Sequence, residues 1–162
     1  MHKIGDYLIY NKDVCKILDI KEKFMNNKDY YLLIPINDNS LKLNIPINSK
    51  QIRNIITKED VDKLINNILN IEPINVDDKL IEIEYKKLIN SGNHEDLIKI
   101  IKTTYLRNKN RIDNKKKISD KDKNYFDLAE KYLYTEFSIV LDMSFDEIKE
   151  FIKEKAINEV KS

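Results

Sequence analysis

Residues 41–65 read LKLNIPINSKQIRNIITKEDVDKLI, and within them the hydrophobic period changes from two to 3.6. Leu41, Leu43, Ile45 and Ile47 alternate with Lys42, Asn44 and Pro46, the pattern of a strand with one buried and one wet face. Pro46 cannot donate to a ladder, which places this strand at an edge or a bulge. A short strand is predicted at 51–55. Thr57 and Asp60 then make a capping signature, and Val61, Leu64, Ile65, Ile68 and Leu69 follow at helical spacing. A boundary between a β module (residues 1–55) and a helical domain (residues 56–162) is therefore predicted at the switch.

Upstream, the chain carries β-branched and aromatic runs between polar turns. YLIY follows Gly5 and Asp6, Val14 to Ile20 makes a second strand, FMNNKD (24–29) reads as a hairpin turn, and YYLLIPI makes a third. Four or five short strands in so few residues predict a small, strongly bent sheet or SH3-like barrel.

Downstream the pattern is helical throughout. Pro73 ends the first helical region. Ile81, Tyr85, Leu88 and Ile89 define a second helix stopped at Asn90-Ser91-Gly92, and Leu97, Ile100, Ile101 and Thr104 define a third. RNKNRIDNKKK (107–117) has no apolar period and reads as an exposed loop. Ser119, with Asp122 as a weak capping partner, opens a long helix whose stripe is Phe126, Ala129, Leu133, Phe137, Val140 and Leu141. Asp142 and Met143 break it. Ser144 and Glu147 start a last helix carrying Phe145, Ile148, Ile152 and Ala156. The fold class is thus α+β, a small Tudor/SH3-like β module followed by an all-α, five-helix C-terminal domain.

Composition narrows the function. With 162 residues, 41% hydrophobic and 35% charged, the chain reads as a soluble globular protein of one domain or two small ones. No apolar run approaches the ~18 residues of a membrane span, and the start MHKIGDYLIY lacks a signal peptide's apolar centre, so a cytoplasmic protein is expected. The single Cys15, between Val14 and Ile17, reads as a strand residue rather than a reactive thiol. Two glycines cannot build a phosphate-cradling loop, and His2 and His94 do not stand at metal-ligand spacing with Cys15. No catalytic dyad, metal site or cofactor site is predicted, and the chain reads as a non-enzyme.

Charge is unevenly spread. Between Lys99 and Lys123 ten basic residues face three aspartates, a surplus of seven, so the remainder carries −6 against the total of +1. A basic segment leading into a helix N-terminus can contact phosphates, which makes Arg111, Lys115, Lys116, Lys117 and Lys123 DNA-contact candidates. The competing reading is a solvated charged face, and on composition alone that one is favoured. Residues 72–84 hold Glu72, Asp77, Asp78, Glu82 and Glu84 against Lys79 alone, a strip that repels DNA.

IGDYLIY with VCKILDI, then YYLLIPI, LKLNIPINSKQIRNIITKEDVDKLI and, at the far end, ISDKDKNYFDLAEKYLYTEF follow one another in an order and spacing that resembles the CarD/CdnL family of bacterial RNA polymerase-binding transcription regulators. The resemblance covers nearly the full length. It implies a Tudor-like module that binds the polymerase β subunit, and a helical domain that touches promoter DNA at the upstream edge of the melted region and stabilises the open complex. Where the family carries Trp followed by two Arg at the start of its second C-terminal helix, this chain reads Val76-Asp77-Asp78-Lys79, so Val76 stands in the position of a minor-groove wedge with Lys79 beside it. Lys123 falls where the family carries a DNA-facing Lys. On the β module, Lys23, Lys42 and Asn44 lie on or near the polar face and are the candidate polymerase contacts. A monomer is expected. A protein-only adaptor that docks on polymerase or another partner without productive DNA contact stays open as the alternative.

Overall fold

The computed structural model describes residues 2–157, with side chains as far as Lys155. The chain divides into two compact units, Met1–Ile56 and Thr57–Ser162. It is an α+β protein.

The first unit is a five-stranded antiparallel sheet: β1 (Tyr7–Tyr10), β2 (Asp13–Met25), β3 (Lys28–Pro35), β4 (Leu43–Pro46) and β5 (Ile52–Arg53), in the order β4-β3-β2-β1-β5. Leu8 pairs with Cys15 and Ile17 with Leu33, and these residues with Tyr31 form the core, flanked by Tyr10, Ile20, Leu43, Ile45 and Ile52. Both tight hairpins are made without glycine. Asn11 and Lys12 join β1 to β2, Asn26 and Asn27 join β2 to β3, and all four have φ between 50° and 80°. Two successive positive φ values give a turn whose twist matches that of the flanking strands, and Asn tolerates that region better than most residues. A bulge between Ile17 and Asp19 leaves Leu18 without a cross-strand partner and 39% exposed, although it stands in an apolar run.

The fourth strand is shorter than its alternation predicts. Leu43 and Ile45 pack on the core, but Leu41 is 44% and Ile47 37% exposed, because a turn from Asp38 to Leu41 ends the strand's entry and the ladder stops at Pro46. Pro46 lies on an edge strand, as its missing N–H requires.

The second unit holds α1 (Lys58–Asn66), α2 (Ile81–Ser91), α3 (His94–Asp113), α4 (Asp120–Leu141) and α5 (Phe145–Ile157), with 3₁₀ turns at Ile68–Asn70 and Asp78–Leu80. Helix starts are capped as the sequence predicts. The Asp60 N–H donates to Thr57 Oγ1 at 3.1 Å, the Asp122 N–H to Ser119 Oγ at 3.2 Å, and Ser144 and Glu147 exchange bonds of 3.1 and 3.3 Å in a reciprocal box. Gly92 closes α2 at φ 65°. Tyr85, Ile100, Leu133, Phe137 and Ile148 are each fully buried, and α3 packs along α4. Ala156, expected on the α5 stripe, has its side chain outside the described residues.

Three expectations for this unit are corrected. Helix α1 ends at Asn66, so Ile68 is buried from a 3₁₀ turn while Leu69 is 41% exposed. Phe145 is 38% exposed rather than part of the core. Most consequentially, residues 107–113 are the last two turns of α3, not loop. They escape the periodicity because Leu106 and Ile112 both face solvent, at 49% and 60% exposure, leaving no apolar stripe to read. The helix stops in a Schellman motif at Lys115, φ 58°, with the Lys116 N–H donating to Arg111 O and the Lys115 N–H to Ile112 O. Lysine holds the place glycine usually marks.

Candidate functional site

On the β unit, β4 pairs with β3 on one side only, so its other side is a sheet edge. Asn44 stands in that strand opposite Leu32, and Lys42 immediately precedes it; both are exposed. Lys23 is placed differently. It lies on β2 in the irregular stretch between Lys21 and Met25, at φ 47°, with its N–H bonded to Asp29 Oδ1 at 3.0 Å. Strand β3 therefore runs between Lys23 and the other two candidates.

On the helical unit the basic residues divide into those held inside the fold and those left to solvent. Lys102 Nζ donates to the carbonyls of Ile68 and Ile71. Arg107 is the hub of a charged network: Nε donates to Asp122 Oδ2 at 3.0 Å and a terminal nitrogen to Asp78 Oδ1 at 2.8 Å. Asp122, fully buried, also accepts from the Tyr85 hydroxyl at 2.8 Å. The sequence marks Asp122 as a capping partner, and its N–H does bond the Ser119 cap, but its carboxylate serves Tyr85 and Arg107 instead. Lys123 pairs with Asp127 at 2.6 Å, one turn along α4. By contrast Lys115, Lys116 and Lys117 are all exposed in the short segment between α3 and α4, and none has an ion pair among the described residues. The Asn108 side chain fixes the far end of that segment, accepting from the Ser119 N–H at 2.8 Å while its Nδ2 donates to Ser119 O.

Val76 lies just before the Asp78–Leu80 turn and is 38% exposed; Lys79 within the turn is exposed. Arg107 ties this turn to α3. The Asp78 carboxyl is held below its usual range, first by the hydrogen bond from Arg107 and then by its charge, with smaller contributions from Arg111 and Lys121. The acidic strip and the basic segment, distant in sequence, thus share one neighbourhood, and part of the strip's negative charge is already compensated. Leu80 at 51% and Ile83 at 65% exposure are, with Val76, exposed apolar residues that the charge of this strip masks in the sequence. The spacing of three from Leu80 to Ile83 is the signal that points to them.

Elsewhere the titratable groups are structural. Burial pushes the Cys15 thiol up to about 11, with Asp13 adding to it. Burial also raises Tyr85, helped by its bond to Asp122. Among the described residues no three His, Cys, Asp or Glu side chains converge on a metal-sized site, and no helix is long and apolar enough to cross a membrane. The chain matches no protein-family model, and no curated protein matches it.

Proposed function

We propose that the chain is a CarD-like transcription regulator that docks on the bacterial RNA polymerase β subunit through its β unit and contacts promoter DNA through its helical unit. The single observation that carries this reading is the unpaired run Lys115 to Lys117, exposed in a segment whose ends are fixed by the Lys115 cap and by Asn108. A held row of cations with no internal partner suits phosphate neutralisation, which needs no base contact. The one-sided β4 edge supports the polymerase contact, because an extended segment of a partner can add there by backbone pairing, with Lys42 and Asn44 at the edge supplying selectivity. Lys23, beyond β3, is the weaker contact. The protein acts in the cytoplasm as a monomer and needs no cofactor on this reading.

The adaptor alternative draws on a different observation. Val76, Leu80 and Ile83 are exposed apolar residues in an acidic setting, which suits a protein surface better than a DNA groove. Binding to fork-junction promoter DNA in the presence of polymerase, at two salt concentrations, separates the two. Replacing Lys115, Lys116 and Lys117 by Ala should flatten the log–log salt slope by about 0.9 for each phosphate that is no longer neutralised. An unchanged slope with β-subunit capture intact selects the adaptor; loss of capture by the isolated β subunit removes the regulator and leaves the adaptor only on another partner.

A further inference from the structure

The helical unit contains a groove of about 570 Å³ that the proposed polymerase and DNA contacts leave unused. Its volume falls within the range of small-ligand sites. Two helices build its basic sides. On α3, Lys102, Tyr105, Leu106 and Lys109 follow at steps of three, one and three; on α5, Lys149, Ile152 and Lys153 follow at three and one, so each set shares a helical face. The floor between them is apolar, from Ile71, Ile101 and Phe126 among others.

The charges along this trough are not equivalent. Lys149 is neutralised by Glu130 at 3.4 Å, and Glu130 is itself buried. Lys102 spends two of its three ammonium protons on the carbonyls of Ile68 and Ile71, and the charge of Glu72 acts on the same ammonium. Lys109 and Lys153 have no ion pair or side-chain hydrogen bond among the described residues, and Glu72 is the remaining acid of the lining. An apolar trough with surplus ammonium groups complements a molecule that is apolar over most of its length and anionic at one end.

We propose that this groove binds a long-chain fatty acid, with the alkyl chain along the apolar floor and the carboxylate held by Lys109 and Lys153. The site is independent of the polymerase and DNA reading. Lysines suit this head group because each offers rotatable donors on a flexible stem that itself packs on apolar surface.

The test is a titration of the full chain with octanoate, decanoate and dodecanoate below their micelle concentrations, followed by ¹H–¹⁵N shifts. Saturable shifts at Leu106 and Ile152 are expected, with affinity rising about fourfold per added CH₂. Decyltrimethylammonium, with the same chain and the opposite charge, should bind at least about tenfold more weakly than decanoate. The pair Lys109→Gln and Lys153→Gln, which removes both charges while keeping polar side chains of similar length, should weaken decanoate while leaving 1-decanol unchanged. Equal binding of anion and cation, shifts confined to other elements, no saturation with dodecanoate, or self-association of the chain that closes the groove would each overturn the proposal.

Discussion

Removing the Asp122 carboxylate is the sharpest perturbation the fold offers. It is fully buried, and it accepts from Tyr85, also fully buried, and from Arg107, whose side chain is 23% exposed. At 3.0 Å and an effective dielectric of about 20 the Arg107 attraction is roughly 5 kcal/mol before desolvation is subtracted. Asp122→Ala relieves the desolvation of one charge but leaves the Tyr85 hydroxyl without its acceptor, a cost of about 1–3 kcal/mol by itself. Arg107 keeps its bond to Asp78 and some access to water, so the loss should fall at the low end of that for a broken buried pair, about 3 kcal/mol. Tyr85→Phe deletes only the donor and should cost about 1 kcal/mol. Urea unfolding followed by circular dichroism at 222 nm reports the helical unit, where all four residues reside. The two substitutions should be strongly non-additive, since once Asp122 is gone the hydroxyl has nothing to lose. A loss below about 1 kcal/mol for Asp122→Ala, or additivity within about 0.5 kcal/mol, would show that the network is not coupled as its geometry indicates.

Further outcomes follow from single residues. Lys115→Gly should stabilise the helical unit by roughly 0.5–1 kcal/mol, because the left-handed conformation at φ 58° costs a side-chain-bearing residue more than glycine loses in unfolded-chain entropy; a melting temperature lowered by the change would contradict the capping geometry. Cys15 should resist Ellman's reagent at pH 8 in the native protein and react only as urea unfolds the β unit, since burial removes access and disfavours the thiolate. Burial raises Glu130, against the opposing charge of Lys149, so the folded state retains a proton that the unfolded chain has released. Stability should therefore be full below the ordinary carboxylate value of 4.5 and fall as pH rises through the folded value; Glu130→Gln should match the native protein at pH 4 and exceed it at pH 7 in thermal melts.

What the sequence made legible was whatever obeys a local rule. Thr57, Ser119 and Ser144 announce helix starts because a hydroxyl cap is a short-range interaction, and Tyr85 with Leu88 marks the buried face of α2 by spacing alone. Two kinds of feature escaped. Helix α3 runs nine residues past Thr104 with its apolar side chains turned outward, and its stop is encoded by a lysine in a conformation that sequence assigns to glycine. The Tyr85, Asp122 and Arg107 network joins positions 15 to 37 residues apart, each unremarkable in its own helix. The groove belongs to the same kind, since its lysines are ordinary surface residues until α3 and α5 set them on facing sides.

The division of the basic residues bears on how the proposed regulator could hold DNA. Of the ten between Lys99 and Lys123, Lys102, Arg107 and Lys123 are engaged within the fold, and only Lys115 to Lys117 form an exposed, contiguous, unpaired run. Three phosphate contacts correspond to a salt slope of roughly 2.7, well below the 6–10 contacts of proteins that bind DNA tightly unaided. Such a run cannot locate a promoter by itself. It can contribute only where the protein is already held beside DNA, and on the proposed reading tethering through the β unit would supply that condition by converting a weak bimolecular contact into an intramolecular one. On this reasoning DNA affinity of the isolated chain should be weak and largely lost at 200 mM salt. Contact in the presence of polymerase should survive, and it should disappear when the β4 edge is blocked by Asn44→Pro, although Lys115, Lys116 and Lys117 are untouched.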